Sequence, residues 1–157
     1  EKQTIASTIN YINNLRSNEN CECFCVNDKD SKHVGNVFIT ECQKNTNRRA
    51  TYGLMIGDSK ARSVGFGFDV SVIIIDFLFK IEGIERIQED CIRKNISASN
   101  LLERLGFTKE GRLRNNASLS NNEYSDTLVY GILKNEWTSI QPKFNYILNK
   151  TFMEDLS

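Results

Sequence analysis

The spacing of hydrophobic positions changes several times along the 157-residue chain, and each spacing predicts a different element. Over residues 4–15 apolar side chains recur every three or four positions, which is the period of an amphipathic helix. Elsewhere apolar and polar residues alternate, or β-branched residues cluster between turn-forming residues, and both patterns are typical of strands. The predicted strands are 21–26, 34–42, 52–56, 86–92, a strand that starts at Phe107, and 123–133.

Residues 68–81 carry conflicting signals. Val70 and the run 72–75 are β-branched and favour a strand locally. The segment is long for a strand, however, and Asp69, Asp76 and Lys80 fall on one stripe of a helix. We therefore predict a buried helix with one solvent-facing edge, which ends before Gly83.

Two further helices are predicted towards the end of the chain. Residues 97–105 form a short helix that ends at Gly106, and residues 138–152 form a terminal helix interrupted at Pro142. The elements then follow in the order helix, hairpin, strand, helix, strand, helix and two strands. This order predicts an α/β (α+β) fold with a mixed, mostly antiparallel sheet and one local crossover connection.

Charge and hydrophobicity argue against several classes of protein. Twenty basic and twenty acidic side chains cancel, so no net charge favours nucleic acid or a membrane surface as a partner. The longest apolar run, 70–79, is shorter than the about 20 apolar residues that a membrane-spanning helix needs. No secretory signal is recognisable, and we expect a cytoplasmic protein with one domain. Because the sequence begins with Glu1, a mature form or a fragment is also compatible with it.

Three of the five cysteines alternate along the first predicted strand. Cys21, Cys23 and Cys25 would share one face of that strand, about 7 Å apart and too distant for a good disulfide. A metal site is one interpretation, but His33 is the only histidine and the C-x-x-C spacing of zinc sites is absent. We favour buried, reduced thiols and predict no bound metal.

A glycine-containing run before the 68–81 helix is the first candidate for chemistry, and it reads Arg62-Ser63-Val64-Gly65-Phe66-Gly67. Glycines let the backbone approach a ligand closely, and the amides of residues 64–68 would point outward at a helix N-terminus. A pyrophosphate group fits such a terminus. Lys60 and Arg62 could add positive charge. An ordinary turn with solvated charges is the alternative interpretation.

A second motif occupies residues 95–107, which read NISASNLLERLGF. The earlier glycine run is not a Walker P-loop, because no G-K-[ST] follows, and it lacks the third glycine of a dinucleotide-binding fingerprint. In this order, the two motifs resemble those of the GCN5-related N-acetyltransferase (GNAT) family, most closely its branch of ribosomal-protein N-terminal acetyltransferases. Residues 52–57 look like the central strand of that family, and residues 109–112 and 124–131 are similar to its later blocks.

The resemblance implies a cofactor, acetyl-CoA, and a cleft between splayed strands of the sheet that holds it. The amides of the glycine run would bind the pyrophosphate, and the central strand would bond the pantetheine arm as an added strand does. Asn95 would bond the same arm, although it could also cap a helix. Arg104 would lie near the distal phosphates, with an exposed surface charge as the alternative. The implied cofactor residues are Met55, Ile56, Arg62, Val64, Gly65, Phe66, Gly67, Phe68, Asn95 and Arg104.

The catalytic residues of the family are not matched by this sequence. Its usual tyrosine acid, one turn before the Gly-Phe pair, is Leu102 here. A serine of the closest branch is Ala98, and a glutamate before the central-strand glycine is Thr51. The base and the acid therefore have to be chosen on chemical grounds.

Glu89 is the predicted general base, because it shares a strand face with Ile87 and Cys91 and apolar neighbours would raise its pKa. A structural ion pair is the alternative role for this residue. The predicted acids are Tyr124 and the hydroxyl of Ser97 or Ser99.

These features predict an acetyl-CoA-dependent N-acetyltransferase in which a primary amine attacks directly within a ternary complex. The amine could belong to a protein N-terminus, an amino sugar or another small molecule. A non-catalytic acyl-CoA-binding regulatory module is the alternative, favoured by the missing tyrosine, serine and glutamate. Residues 1–137 are predicted to form the GNAT domain without the family's first strand and helix, and residues 138–157 a C-terminal helical extension. We expect no nucleic-acid or membrane partner, and a homodimer is compatible with the sequence.

Overall fold

The computed structural model describes residues 13–14, 17–18, 21–63, 65–119 and 123–154. Apart from residues 13–14, the helix predicted over residues 4–15 lies outside the described residues. The same is true of Val64, which belongs to the glycine run.

One mixed sheet organises the described part of the chain, with the strand order β1-β2-β3-β4-β6-β5. Neighbouring strands are antiparallel except for the parallel pair β3–β4. The α/β fold class and the mixed, mostly antiparallel sheet are therefore confirmed, with one parallel pair of neighbouring strands. The strands are β1 Glu22–Asn27, β2 His33–Gln43, β3 Arg49–Ile56, β4 Arg86–Ile92, β5 Thr108–Ser118 and β6 Tyr124–Leu133.

The helices occupy the connections and the region after the last strand. They are α1 Ser59–Ser63, α2 Phe66–Lys80, α3 Ile96–Arg104, α4 Lys134–Ile140 and α5 Asn145–Glu154, with a 3₁₀ turn at Gln141–Phe144. Helix α2 links β3 to β4, and α3 links β4 to β5. Both crossovers run in the same direction across the sheet, so the right-handed rule places both helices on one face. A contact between them agrees, since the Arg104 guanidinium lies 4.6 Å from the centre of the Phe68 ring.

Helix α2 confirms the helical interpretation of residues 68–81. Its β-branched residues favour a strand locally, but burial against the sheet decides the outcome, and Val72 and Ile75 are fully buried. The predicted solvent edge is wrong at Asp76, which is only 6% exposed. Asp76 accepts a hydrogen bond from Trp137 Nε1 at 3.1 Å and pairs with Lys80 at 3.0 Å. Its charge is therefore satisfied inside the protein.

The terminal helices begin at Lys134, earlier than the predicted start at residue 138. The backbone amide of Leu133 donates to Glu136 Oε2 at 2.8 Å, which caps the first turn immediately after β6. Trp137 then lies in the core and stacks on Phe144, with ring centres 5.4 Å apart. Pro142 lies in the 3₁₀ turn between the two helices, where the sequence predicts an interruption.

The prediction that the three cysteines in and just before β1 are buried is wrong. Cys23 and Cys25 are exposed and Cys21 is half-buried. Phe24 contacts Phe77 of α2, so strand alternation turns the thiols to the opposite face of an edge strand. Within the described ranges, no group of three or more His, Cys, Asp or Glu side chains could hold a metal ion. None of the described helices is long and apolar enough to span a bilayer.

Candidate active site

The site begins where the parallel strands separate. Their ladder consists of Arg49↔Arg86 and Ala50↔Ile87, after which β3 and β4 diverge. A cavity of about 340 Å³ fills the opening, lined by both strands together with residues of α2 and α3. Because the two helices lie on the same face, they form the walls of a cleft whose floor is the gap in the sheet.

Backbone groups of β3 point into this gap. The amide of Tyr52 faces β4, because it donates to Glu89 Oε1 at 2.6 Å. Direction alternates along a strand, so the amides of Leu54 and Ile56 face the same way, beyond the end of the ladder. The backbone amide of Met55 points the opposite way, toward β2, where Met55 is paired with Asn36. The amides of Leu54 and Ile56 therefore face the opening; Leu54 belongs to the strand predicted to bond the pantetheine arm, although it is not among the individually predicted cofactor residues.

The turn before α2 exposes backbone amides. Gly65 has φ +92°, a conformation that favours glycine, and its carbonyl accepts from the amides of Phe68 at 2.9 Å and Asp69 at 3.2 Å. The amide of Phe68 is thus engaged within the helix, which corrects its predicted role as a phosphate donor. The amides of Phe66 and Gly67 belong to the first turn, where no partner within the helix exists. They are the groups that an anion would meet.

Two arginines belong to the surroundings of this turn. Arg62 is exposed near the end of α1, just before the turn. Arg104 comes from α3 and stacks on Phe68. A guanidinium held over an aromatic ring is restrained next to the helix N-terminus while its charge stays available. The structure therefore brings Arg104 to the glycine turn from a distant part of the sequence.

Asn95 lines the cavity and begins α3. Its side-chain oxygen accepts from the amide of Ala98 at 3.1 Å, which makes it the N-cap of the helix. The cap uses only the oxygen, so the side-chain NH₂ group remains for a ligand in the cavity. The two roles considered from the sequence are compatible in the structure.

Glu89 occupies the base of the opening. The residue is partly exposed, but its carboxylate lies deep, and burial raises its pKa from 4.5 to about 8. The charge of Asp90 raises the pKa further, while the Tyr52 amide opposes the shift. The hydrogen bond from a backbone amide, and not an ion pair, is the contact that holds this carboxylate. A carboxylate with such a pKa can take a proton near neutral pH.

The candidate acids are not brought to Glu89. Ser97 is exposed on α3 and is not among the residues that line the cavity. Tyr124 is 62% exposed and precedes Thr127, the residue of β6 opposite the last residue of β4. The hydroxyls of Ser99 and Tyr130 lie 2.6 Å apart, and neither residue is among those that line the cavity. Strand register, which the local sequence does not encode, makes Tyr130 the β6 residue opposite Glu89 and leaves Tyr124 at the start of that strand, away from the base.

The protic side chains that do line the cavity are Tyr52, Ser71 and Cys91. Burial raises the pKa of the Cys91 thiol and the pKa of the Tyr52 hydroxyl, so both stay protonated at neutral pH. Leu102 lines the same cavity with 6% of its surface exposed, and no acid stands at its position. Sequence reasoning missed Tyr52 and Ser71, although their positions on the inward faces of β3 and α2 were available from periodicity.

Together, the glycine turn with its outward amides, the strand gap and the buried carboxylate of Glu89 are compatible with a site for an acyl group carried on a phosphorylated arm. Residues 1–129 match the family model described as "Acetyltransferase (GNAT) domain". The match spans most of the chain, which therefore belongs to the GNAT family of acetyltransferases. It is an N-acetyltransferase that uses acetyl-CoA as the acyl donor, as the sequence predicts.

Solved structures of spermidine N-acetyltransferase SpeG from Vibrio cholerae are similar in fold. A single-residue variant shares 22% identity with a TM-score of 0.76, covering 85% of this chain and 78% of that one. A chimera with hSSAT shares 21% identity with a TM-score of 0.79, covering 88% and 84%. A dodecameric form shares 22% identity with a TM-score of 0.75, covering 85% and 77%. No curated protein sequence matches the chain.

Proposed function

We propose that this protein transfers the acetyl group of acetyl-CoA to a primary amine by direct attack in a ternary complex, with Glu89 as the general base. The main observation that supports this proposal is the position of the Glu89 carboxylate at the base of the β3–β4 gap, 2.6 Å from the Tyr52 amide. The pantetheine arm would lie along β3, with its diphosphate on the amides of Phe66 and Gly67 and Arg104 beside the more distal phosphate.

The proposed chemistry needs a neutral amine. An acceptor arrives as an ammonium ion and must lose a proton before it attacks the thioester carbonyl, and Glu89 with a pKa of about 8 can accept it. The amide of Leu54 is directed to stabilise the oxyanion of the tetrahedral intermediate. When the intermediate collapses, the C–S bond breaks, the CoA thiolate leaves, and the proton that the attacking nitrogen still has to lose passes through solvent to the thiolate. Positioning of the two substrates supplies much of the rate, so no tyrosine acid is required at Leu102.

A protein N-terminus is the first proposed acceptor. The support is the sequence motif over residues 95–112, which we interpret as resembling the ribosomal-protein N-terminal acetyltransferase branch. Asp90 and Ile92 alternate with Glu89 and Cys91 along β4 and also line the cavity, so an extended peptide would approach the gap from the face of the sheet opposite α2 and α3.

A polyamine is the second proposed acceptor, and one observation favours it. Asp90 lines the cavity from the strand position next to Glu89, and the charge of Glu41 raises its pKa after the larger effect of burial. Two carboxylates close enough to affect each other would attract a polycation. The SpeG structures belong to enzymes named for spermidine, which agrees with this choice.

The test is release of the CoA thiol from acetyl-CoA in the presence of a panel of amines: a peptide with a free N-terminus, the same peptide blocked at its N-terminus, spermidine and glucosamine. We expect thiol release that depends on one of the free amines and disappears in Glu89→Gln. Tight binding of acetyl-CoA without amine-dependent release for any acceptor would contradict the proposal and indicate a regulatory binding module.

We also propose that identical chains assemble, because one SpeG structure of the same fold is dodecameric. Light scattering coupled to size exclusion would measure the mass of the particle. A monomer at micromolar concentration, with and without acetyl-CoA, would contradict the assembly.

A further inference from the structure

Tyr130 identifies the two faces of the sheet beside the gap. Its hydroxyl lies 2.6 Å from the hydroxyl of Ser99 in α3, and Tyr130 is the β6 residue paired with Glu89. Paired residues of neighbouring strands share a face, so Glu89 lies on the helix-covered face. Side chains alternate along a strand, which places Asp90 and Ile92 on the opposite face. Both residues also line the cavity, so that face is continuous with the site.

A row of side chains extends across this opposite face, away from the gap. Ile92 is paired with Thr127 of β6, and Thr127 is paired with Leu113 of β5. Ile92 is 36% exposed and Leu113 is 45% exposed, whereas Thr127 between them is buried. The Thr127 hydroxyl accepts a hydrogen bond from Asn116 Nδ2 at 3.2 Å. The row therefore presents two aliphatic side chains, about 10 Å apart across three strands, over a polar group that is already bonded.

The charges around this row suit a peptide better than a polyamine. Asp90 lies between Glu89 and Ile92 along β4, where its charge attracts the ammonium group of an acceptor. Beyond Ile92 the chain continues with Arg93, whose guanidinium is 3.5 Å from Asp126. A second ammonium group of a polyamine would lose water beside aliphatic side chains and meet a cation. A peptide N-terminus has one positive group, and apolar side chains can follow it.

We propose that Ile92 and Leu113 are specificity-determining residues that bind an apolar side chain within the first three residues of a peptide or protein N-terminus. Ile92 follows Glu89 by three positions, about 10 Å along the strand, which is the length of about three residues of an extended peptide. An apolar side chain that reaches the row is partly removed from water. The inference rests on the proposed function, since it places the acceptor amine at Glu89.

The test compares two peptides that differ only at their second and third residues, which are both leucine in one and both asparagine in the other. From thiol release we expect kcat/KM to favour the leucine peptide by about 5- to 20-fold. Ile92→Ala and Leu113→Ala should each lower this preference by about 3-fold or more, mainly through KM. The absence of a preference in the native protein, or an unchanged preference in both variants, would overturn the inference.

Leu133 offers a matched control on the same face of β6. It is 40% exposed, lies six residues after Thr127 and is paired with Arg86 at the other end of β4. Leu133→Ala removes a similar aliphatic surface far from the row and should keep the native preference for the leucine peptide. If it lowers the preference as Ile92→Ala does, general loosening of the sheet explains both effects and the inference is wrong.

Two further outcomes separate this inference from the proposed function. Turnover of spermidine without turnover of either peptide would leave acetyl transfer standing and overturn the inference. If no amine supports thiol release, the proposed function fails, and calorimetry with the N-acetylated peptides and the CoA complex then tests the row alone. Tighter binding of the acetylated leucine peptide, lost in Ile92→Ala, would support the inference. Equal affinities, or no binding of either peptide, would overturn it.

Discussion

At the scale of single residues, Glu89 shows how a strand gap changes the chemistry of a side chain. If the parallel ladder continued, the Tyr52 amide would bond a β4 carbonyl. The ladder stops, and the carboxylate of Glu89 takes that amide. The consequence is a buried acid whose hydrogen bond from the Tyr52 amide compensates only part of its desolvation, and its pKa rises to about 8.

The first prediction concerns the rate. Glu89→Gln keeps an oxygen to accept from the Tyr52 amide but cannot take a proton, so kcat/KM should fall by about 100-fold or more. In the native protein the logarithm of kcat/KM should rise with pH and level off near the pKa of about 8. That break should be absent in the variant. Glu123→Gln, at an exposed ion pair with Lys94, is the control and should keep the native profile. A retained break in Glu89→Gln would assign the ionisation to another group.

The second prediction concerns stability against pH. The pKa of Glu89 is higher in the folded protein than its ordinary value of 4.5, so the folded state binds the proton more tightly. This contribution is complete below pH 4.5 and is lost as pH rises through about 8. Urea unfolding should therefore show Glu89→Gln gaining stability relative to the native protein between pH 5 and pH 9. A difference that stays constant over this range would contradict the shift.

At the scale of elements, the start of α2 depends on one backbone conformation. Gly65 has φ +92°, and a Cβ there would meet no neighbouring atom, so any penalty arises from the backbone and not from crowding. We expect Gly65→Ala to lower the free energy of unfolding by about 1 kcal/mol or more and to weaken CoA binding as the turn adjusts. Denaturant titration and calorimetry measure the two effects.

Gly111 is the matched control for this element. It has equally open space for a Cβ, an ordinary φ, and a place in β5 away from the cavity. Gly111→Ala should leave both quantities within about 0.5 kcal/mol of native. Equal effects of the two substitutions would show that the conformation of Gly65 is not what forms the turn.

Local pattern identified most elements, and the errors have a common cause. Helix α2 was recognisable because Asp69 and Lys80 lie on one helical stripe despite its β-branched residues. Strand register, and which strand each backbone amide faces, depend on pairing between distant parts of the chain. The sequence analysis therefore selected Met55, whose backbone is paired with β2. Tyr124 was misplaced for the same reason. Arg104 was identified by resemblance, but only the fold shows that it rests on Phe68.

At the scale of the whole molecule, a row of contacts ties the last helices to the cofactor turn. Asp76 bonds Trp137, Trp137 stacks on Phe144, and Phe144 meets Phe68 with ring centres 5.7 Å apart. The guanidinium of Arg104 in turn lies over the Phe68 ring. The helices after β6 therefore belong to the same core as the site, although the sequence interpretation divides the chain at residue 137.

The fourth prediction tests that integration. Trp137→Phe retains an aromatic ring for Phe144 but removes the donor to buried Asp76, so the free energy of unfolding should fall by about 1–3 kcal/mol. Thermal and denaturant unfolding should both report the loss in a single transition. Adding Asp76→Asn, which removes the charge, should recover part of the stability. A double variant whose losses simply add would show that the two side chains act independently.

The two-pair ladder between β3 and β4 also bears on the integrity of the enzyme during its cycle. Three hydrogen-bonded strands lie on either side of this ladder, and within the sheet only its two residue pairs join the two halves. A pantetheine arm bonded to β3 would act as a removable seventh strand. It would fill the gap between the two halves of the sheet when it binds and leave the gap open when it dissociates. The abundance of cofactor in the cell would then regulate not only how fast the enzyme works but also how long each molecule survives proteolysis.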